Sequence, residues 1–515
     1  MAREGGDWAE SRLSDFGRVT GSAETQALGR DANRFPPQLT THDRSGHRID
    51  EVEFHPAWHE IMGLAFEHEV HCLPWRDLRP GAHVVRSTLH SLLSQVESGA
   101  CCPITMTFAC VPALRHEPEL AAEWESLVCG TRYEPELRPA REKGGVLVGM
   151  AMTEKQGGSD VRTNTTSATP LGSDDAYALV GHKWFCSAPM SDAFLTLAQT
   201  LRGLTCFFVP RILPDGSRNP FALQRLKEKL GNRSNASSEV EFRGTWARRV
   251  GEEGRGVRTI LDMVHHTRLD CVSGSAGLMR QAVAQAMHHV SHREAFGRRL
   301  WDQPLMRNVL ADLALESEAA TALMLRLARA YDEAPGDVAA RAFARIATAV
   351  GKYWVCKRAP AMIYEAMECL GGNGYVEESI LPRLYREAPV NAIWEGSGNV
   401  ICLDVLRALT REPDTGPALI DELRLARGGN AALDALTDEL EHDLAYPGDM
   451  EPVARRLVER AALALQASLL VRFAPSAVAD AFCASRLGRD GGFAFGTLCA
   501  EEELDTILAR AAPAG

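Results

Sequence analysis

Gly149-Met-Ala-Met-Thr-Glu-Lys-Gln-Gly-Gly-Ser-Asp160 is the stretch whose reading decides the fold, and Val180-Gly-His-Lys-Trp-Phe-Cys-Ser187 is its companion. Val146, Val148, Met150 and Met152 alternate with Leu147, Gly149 and Ala151, which predicts a half-buried strand. The strand ends at Gly157-Gly158, where positive φ and close backbone approach are permitted. Thr153 and Ser159 add hydroxyl donors beside backbone N–H groups, a combination that suits a pyrophosphate or the polar rim of a ring. On these residues alone a plain strand-to-loop turn with a Gly-Gly corner is the commoner reading. The pattern is neither G-x-G-x-x-G nor a P-loop.

The rest of the chain bounds the answer. Its 515 residues, 45% hydrophobic and 24% charged, are enough for about three or four globular domains. Thirteen cysteines are scattered with no C-x-x-C, which favours free thiols in a reducing cytoplasm. Residues 1–12 lack the apolar core of a signal peptide, and no run approaches 18 apolar residues, so neither export nor a membrane is expected.

Composition divides the chain into a polar, turn-rich N-terminal arm over 1–50, a helical region over 51–147, a β-domain over 148–250, a helical bundle over 251–410 and a helical appendage over 411–515. The expected strands are Tyr177–Ser187, Phe194–Gln199, Thr205–Val209 and Glu239–Phe242. Leu305, Val309, Leu313, Ala320, Leu323, Met324 and Leu327 predict the buried stripe of one bundle helix. Breaks are expected in the appendage at Gly428-Gly429, Pro447-Gly448 and Gly491-Gly492.

Thr153 to Asp160 resembles the T-E-P-x-A-G-S-D signature of acyl-CoA dehydrogenases. Arg293-Glu-Ala-Phe-Gly297, Leu370-Gly-Gly-Asn-Gly-Tyr375 and Ile393-Trp-Glu-Gly-Ser-Gly-Asn399 match that family in the same order. The wording of these segments is closest to the AidB-type, alkylation-response flavoprotein branch. The resemblance implies an α+β, mainly helical fold: an N-terminal helical domain, a middle β-barrel or sandwich, a C-terminal four-helix bundle and, here, the extra appendage. It also implies FAD as cofactor and α,β-dehydrogenation of an acyl-CoA thioester. Glu395 matches the catalytic glutamate that removes the α-proton, and its backbone N–H would help polarise the thioester carbonyl. A dry pocket against an aromatic ring would raise its pKa and strengthen it as a base. One subgroup instead places its glutamate just before an arginine matched by Arg268; here Thr267 stands there and cannot act as a carboxylate base. Arg268 is carried over as a substrate-binding residue.

The flavin contacts follow from the same comparison. Met150, Thr153, Gly158 and Ser159 would line the ring and pyrophosphate, Phe185 stands where many relatives have tryptophan, and Cys186 and Ser187 continue that edge. Arg293 and Phe296 match residues that reach the FAD of a neighbouring subunit, Gly371, Gly372 and Gly374 line the adenine side, and Trp394, Ser397 and Asn399 complete the set. A subunit-spanning site implies a homo-oligomer, by family habit a tetramer. Two departures alter the flavin loop: Lys155 replaces the signature proline and Gly157 replaces alanine.

Three functions stay open at this point. One is a dehydrogenase of short or branched acyl-CoA that passes electrons to a carrier such as an electron-transfer flavoprotein. Another is a DNA-associated protective flavoprotein of the alkylation response with residual dehydrogenase activity. The third is a scaffold with structural FAD. Charge speaks against a DNA grip in the appendage, where ten arginines and no lysine face 18 acids, a net −8 out of −12 for the chain. A basic stretch, Arg341, Arg345, Lys352, Lys357 and Arg358, is either a phosphate-binding face or an ordinary solvated or subunit-contact helix. His288 and His292 lie one turn apart with nothing to complete a ligand set, so no metal is expected.

Overall fold

The computed structural model describes residues 1–172, 175–445, 450–488, 491–499 and 503–513. The break expected at Pro447-Gly448 lies outside the described residues.

The first fifty residues are not an extended arm. They form helices α1 (Glu10–Gly21) and α2 (Ala23–Arg34) and a hairpin of β1 (Gln38–His42) with β2 (Arg48–Glu53). Ser22 caps α2 by accepting from the Thr25 N–H. In α1 only Leu13, Phe16 and Thr20 are buried, spaced by three and four residues, so an apolar face exists but is too sparse to stand out from the polar background. Helices α3 (Pro56–Glu67), α4 (Leu73–Arg76), α5 (Ala82–Ser94), α6 (Ser98–Leu114) and α7 (Pro118–Val128) follow. Helix α6 is apolar on every face, and 14 of its 17 residues are buried.

Strands β3 (Val148–Ala151), β4 (Ser167–Pro170), β5 (Ala176–Ser187), β6 (Ala193–Thr200), β7 (Gly203–Pro210), β8 (Phe221–Leu226) and β9 (Ser237–Val250) make one sheet. Its order β6-β4-β5-β9-β7 closes on itself because β7 also pairs with β6, while β3 adds parallel to β6 and β8 antiparallel to β9. The middle domain is thus a closed barrel, and closure removes the exposed edges of these five strands. Leu179, Cys186, Phe194, Phe207, Leu223 and Phe242 are among the residues that fill it. The four expected strands are present and longer than expected; β4 and β8, short and interrupted by polar residues, were not anticipated. β3 is not half-buried. Val146 to Gly149 and Ala151 are all buried, so both faces of the strand are covered, as is usual for a parallel pairing.

Beyond the barrel lie α8 (Gly256–His292), α9 (Pro304–Glu333), α10 (Val338–Cys369), α11 (Gly372–Tyr375), α12 (Leu381–Asn391) and α13 (Gly398–Arg411). The appendage consists of α14 (Thr415–Arg424), α15 (Ala431–Ala445), α16 (Ala454–Phe473), α17 (Ser476–Arg486) and α18 (Leu504–Ala511). The long helices α8, α9 and α10 share one core with α13, and that core continues without a break through Leu419, Leu457, Leu465, Phe482 and Ile507 of the appendage. The expected stripe of α9 is buried from Leu313 to Leu327, whereas Leu305, in its first turn, is 83% exposed.

Two compact units result. One comprises Ser11–Ala82 and Leu92–Thr267 and includes the barrel; the other comprises Met1–Glu10, His83–Ser91 and Arg268–Gly515. Each carries part of the expected chemistry. No described helix is long and apolar enough to cross a membrane.

Candidate functional site

In the barrel unit, the loop after β3 is built on a buried ion pair. Glu154 and Lys183 are both fully buried, with Nζ and Oε1 2.9 Å apart. Glu154 also accepts from the Thr165 N–H (2.7 Å), the Thr166 hydroxyl (2.6 Å) and the Thr166 N–H (3.2 Å), while Lys183 donates further to the Leu197 carbonyl (2.8 Å). Burial alone would raise the Glu154 carboxyl, but Lys183 and these donors outweigh it and hold the group down to about 2. The acid is therefore an anchor that fixes the loop to β5, a role the sequence reading did not assign. The Thr153 carbonyl accepts from the Trp184 N–H at 2.8 Å, which ties the loop to the same strand.

The loop turns back at Gly157, where φ is +113° and its N–H donates to the Glu154 carbonyl (3.0 Å). A Cβ on Gly158 would lie 2.6 Å from the Thr153 hydroxyl oxygen, so this position has no room for a side chain. Among the described residues, the N–H groups of Gly158, Ser159 and Asp160 have no hydrogen-bond partner. Ser159 is exposed and Phe185, on β5, is 47% exposed. A run of free N–H donors and hydroxyls on the loop, with a half-exposed aromatic ring on β5 that Lys227 Nζ approaches to 4.9 Å, suits a pyrophosphate and a flat ring, so these residues fit FAD. Met150 and Thr153 are half-buried in the same segment. Ser187 is half-buried, 3.3 Å from the Ser237 hydroxyl. Cys186 differs from the expectation: its thiol is fully buried in the barrel core and pushed up to about 12 by that burial, and its carbonyl accepts from Ser238 (3.0 Å). Alternation along β5 turns Cys186 inward wherever Phe185 turns outward.

In the helical unit, Glu395 sits in the turn between α12 and α13 with φ +56°, a left-handed conformation that a Cβ disfavours. Three consecutive carbonyls of this turn are held by two buried cations. Lys352 Nζ donates to the carbonyls of Trp394 (2.8 Å) and Gly396, and Arg268 Nε donates to that of Glu395 (3.0 Å). Arg268 is itself oriented by Asp404 (2.7 Å), which also takes two bonds from Arg345 (3.0 and 3.1 Å). Burial pushes the Asp404 carboxyl up, and the two arginines more than reverse this. Arg268, expected as a substrate-binding residue, fixes the Glu395 backbone through Nε. The Glu395 side chain is half-buried, and its charge reaches the Cys271 thiol, already raised by burial.

The remaining site residues are distributed around this unit. Trp394 Nε1 donates to Asn391 Oδ1 (3.1 Å), and Asn391 in turn donates to Ser275 (3.2 Å). Ser397 precedes α13 and is exposed; Asn399 Oδ1 accepts from Arg455 of the appendage (2.7 Å). Gly371 has φ +58°, Gly372 is exposed, and Gly374 is packed so closely that a Cβ would lie 2.2 Å from the Met367 carbonyl. Arg293 and Phe296 lie in a tight turn after α8, both exposed, Phe296 at 96% with φ +54°. Among the described residues, the Arg293 guanidinium has no hydrogen-bonding partner.

Three of the five cations of the basic stretch are committed within the protein. Arg345 is committed to Asp404 and Glu412, Arg358 to Glu316, and Lys352 to the 394–396 turn. Lys352 is a lone lysine in the apolar run Ala347-Thr-Ala-Val-Gly-Lys-Tyr-Trp-Val-Cys356, and that isolation is the signal that could have marked it as buried and structural.

Comparison with known proteins agrees with this arrangement. The family model of the adaptive response protein AidB N-terminal domain matches residues 1–135, that of the acyl-CoA dehydrogenase middle domain residues 149–245, and that of the acyl-CoA dehydrogenase C-terminal domain residues 254–410. The chain is 47% identical to AidB of Escherichia coli K12 over 96% of its own length and 91% of that protein. It is 33% identical to acyl-CoA dehydrogenase family member 11 of Caenorhabditis elegans over 77% and 66% of the two chains. Among solved structures, C. elegans ACDH-11 in complex with C11-CoA superposes with a TM-score of 0.85 at 27% identity, covering 94% of this chain and 88% of that one. A matching order of three domain models and near full-length identity leave one placement: the chain belongs to the acyl-CoA dehydrogenase family of FAD-dependent oxidoreductases acting on CH–CH groups, in its AidB-like branch.

Proposed function

We propose that this protein catalyses α,β-dehydrogenation of an acyl-CoA thioester with Glu395 as the base. The observation that carries the reading is the turn at 394–396, in which Lys352 and Arg268 hold three carbonyls and force a non-glycine residue into a left-handed conformation. Strain of this kind persists only where surrounding contacts fix it, and it fixes the point from which the Glu395 side chain projects. Glu395 takes the α-proton, and the free N–H groups at 158–160 with Thr153 and Ser159 hold the pyrophosphate of FAD. The bound flavin supplies the acceptor for the β-hydride. The C11-CoA bound in the C. elegans structure supports an acyl-CoA as ligand. Reduced flavin is expected to pass its electrons to a carrier such as an electron-transfer flavoprotein, in a reducing compartment that suits the thirteen free cysteines.

The test is an anaerobic titration of the FAD-loaded protein with short, branched, medium and long acyl-CoAs, following loss of oxidised flavin absorbance. Bleaching by one class that disappears in Glu395→Gln supports the assignment. A yellow protein that no thioester reduces overturns it.

A second reading, service in an adaptive response to alkylation, is favoured by the AidB N-terminal match over residues 1–135. Contact with DNA does not follow from the appendage, whose arginines Arg424, Arg427, Arg460, Arg472, Arg486 and Arg510 are paired with carboxylates. Duplex binding through unpaired cations would weaken steeply with salt. Salt-independent retention of DNA counts against it.

A further inference from the structure

The barrel unit gathers positive charge at a place that the dehydrogenase chemistry does not use. The β1–β2 hairpin lies along β8, with Arg48 donating to the Leu223 carbonyl and Arg218 to the Ile49 carbonyl. The connection from β7 to β8 is fixed by Asn219, which donates to the carbonyls of Pro210 (2.7 Å) and Trp246 (2.8 Å) and accepts from the Trp246 N–H (2.9 Å). Phe221 pairs with Phe242 in the β8–β9 register, which brings the next residue of β9, Arg243, to the same place. These segments enclose a cavity of about 230 Å³ lined by Arg48, Arg211, Arg218, Arg243, Asp50 and Phe221, with a few neighbours.

Four guanidiniums face one carboxylate. Asp50 pairs with Arg48 at 2.8 Å. The nearest carboxylate to Arg218 is Glu51, 3.7 Å away and itself exposed. Among the described residues, Arg211 and Arg243 have no ion-pair partner. Arg211 is only 5% exposed; it donates to the Pro189 carbonyl and lies 4.9 Å from the centroid of the Phe221 ring. Burial pushes it down to about 10, so it stays protonated at neutral pH. A buried guanidinium whose opposing charges, Asp50 and Asp192, lie beyond ion-pair distance is costly, and the cost is offset when an anion supplies acceptors for its remaining donors. Guanidinium forks match the oxygens of a tetrahedral oxyanion, and the two positive charges left over after the Arg48–Asp50 and Arg218–Glu51 pairs suit a dianion better than a carboxylate. At about 30 Å³ per water, the cavity holds roughly eight waters' worth of volume, room for a phosphate and a few more atoms. The Phe221 ring gives those atoms an apolar wall.

We propose that this cavity is a binding site for a phosphate dianion, either free or as the head of a small phosphomonoester. The site is independent of the dehydrogenation reading, and its test needs no acyl-CoA. The FAD-loaded protein is titrated calorimetrically at constant ionic strength, balanced with chloride, with inorganic phosphate, glycerol phosphate, phenyl phosphate and acetate. One phosphate or phosphate ester per chain is expected, with acetate at least about tenfold weaker. Tighter binding of the esters identifies a phosphomonoester site, and equal binding identifies free phosphate. Arg218→Gln and Arg243→Gln, both at exposed positions, should each weaken binding by about tenfold while leaving flavin absorbance and melting temperature in chloride unchanged. Arg211→Met should abolish binding, and the two exposed variants keep the test valid where that variant does not fold. Heats no different from chloride, or stoichiometric phosphate binding that survives both glutamine variants, overturn the proposal.

Discussion

The Glu395 backbone is held by Arg268 and its neighbours' carbonyls by Lys352, and this separates two kinds of mutation at one turn. Glu395→Gln keeps the shape and hydrogen-bonding reach of the side chain but removes the proposed base. FAD content is expected to stay at wild-type levels while acyl-CoA-dependent flavin reduction falls by about 10²–10⁴-fold, read by anaerobic stopped-flow absorbance. Lys352→Met removes the donor from two carbonyls and leaves Glu395 in place. It should cost about 1–3 kcal/mol in denaturant unfolding, because buried acceptors lose their partner, and should slow reduction without changing the acid limb of its pH profile. The Trp-Glu-Gly-Ser context is specific enough to single out Glu395 in the sequence. The carbonyl contacts of Arg268 and Lys352 were not legible there for a common physical reason: a cation's position in a sequence does not reveal whether it points at a ligand or at a carbonyl distant in the chain. Arg268 meets Glu395 across 127 residues and Lys352 meets Gly396 across 44.

At the level of elements, the flavin loop depends on one ion pair that joins it to β5. Glu154 has a folded pKa of about 2, below its ordinary value of 4.5. Its stabilising contribution is therefore complete above about pH 4.5 and is lost as pH falls toward 2. Glu154→Gln should flatten that part of the acid-unfolding curve. At neutral pH it should cost about 3–5 kcal/mol, because Lys183 is left charged and buried without its partner, and calorimetry together with FAD retention reads both effects. Retained stability with lost FAD would show that the pair orders the loop without supporting the barrel. The strands from Tyr177, Phe194, Thr205 and Glu239 were legible because β-branched and aromatic residues cluster between turn signals. Closure of the barrel was not, since the pairing of β6 with both β4 and β7 is non-local and leaves no periodic mark. The α1–α2 helices were missed for the opposite reason, as their few apolar residues are diluted by charge.

At the scale of the whole molecule, self-association is a proposal that the exposed apolar side chains put to the test. Phe296 is 96%, Leu305 83% and Tyr375 81% exposed, and Phe296 lies three residues from the exposed Arg293. Residues of this size left in water mark association surfaces when they cluster. Phe296→Ser is expected to shift light-scattering mass from a tetramer toward smaller species, and Arg293→Ala to lower FAD retention in parallel. A wild-type monomer that holds FAD fully would refute both. The appendage has a different relation to the rest of its unit. Asp312 and Glu316 are buried on α9, Arg486 from α17 meets both, and Arg326 of α9 binds Glu422 of α14 (2.6 Å). Burial alone would raise the Glu316 carboxyl, yet Arg358 and Arg486 keep it below its ordinary range. Acids at such positions are tolerable only while their arginines arrive. Without the last hundred residues Asp312 would be left buried without its arginine, while Glu316 would keep Arg358 of α10, so the bundle helix is matched to its tail at one acid and self-sufficient at the other.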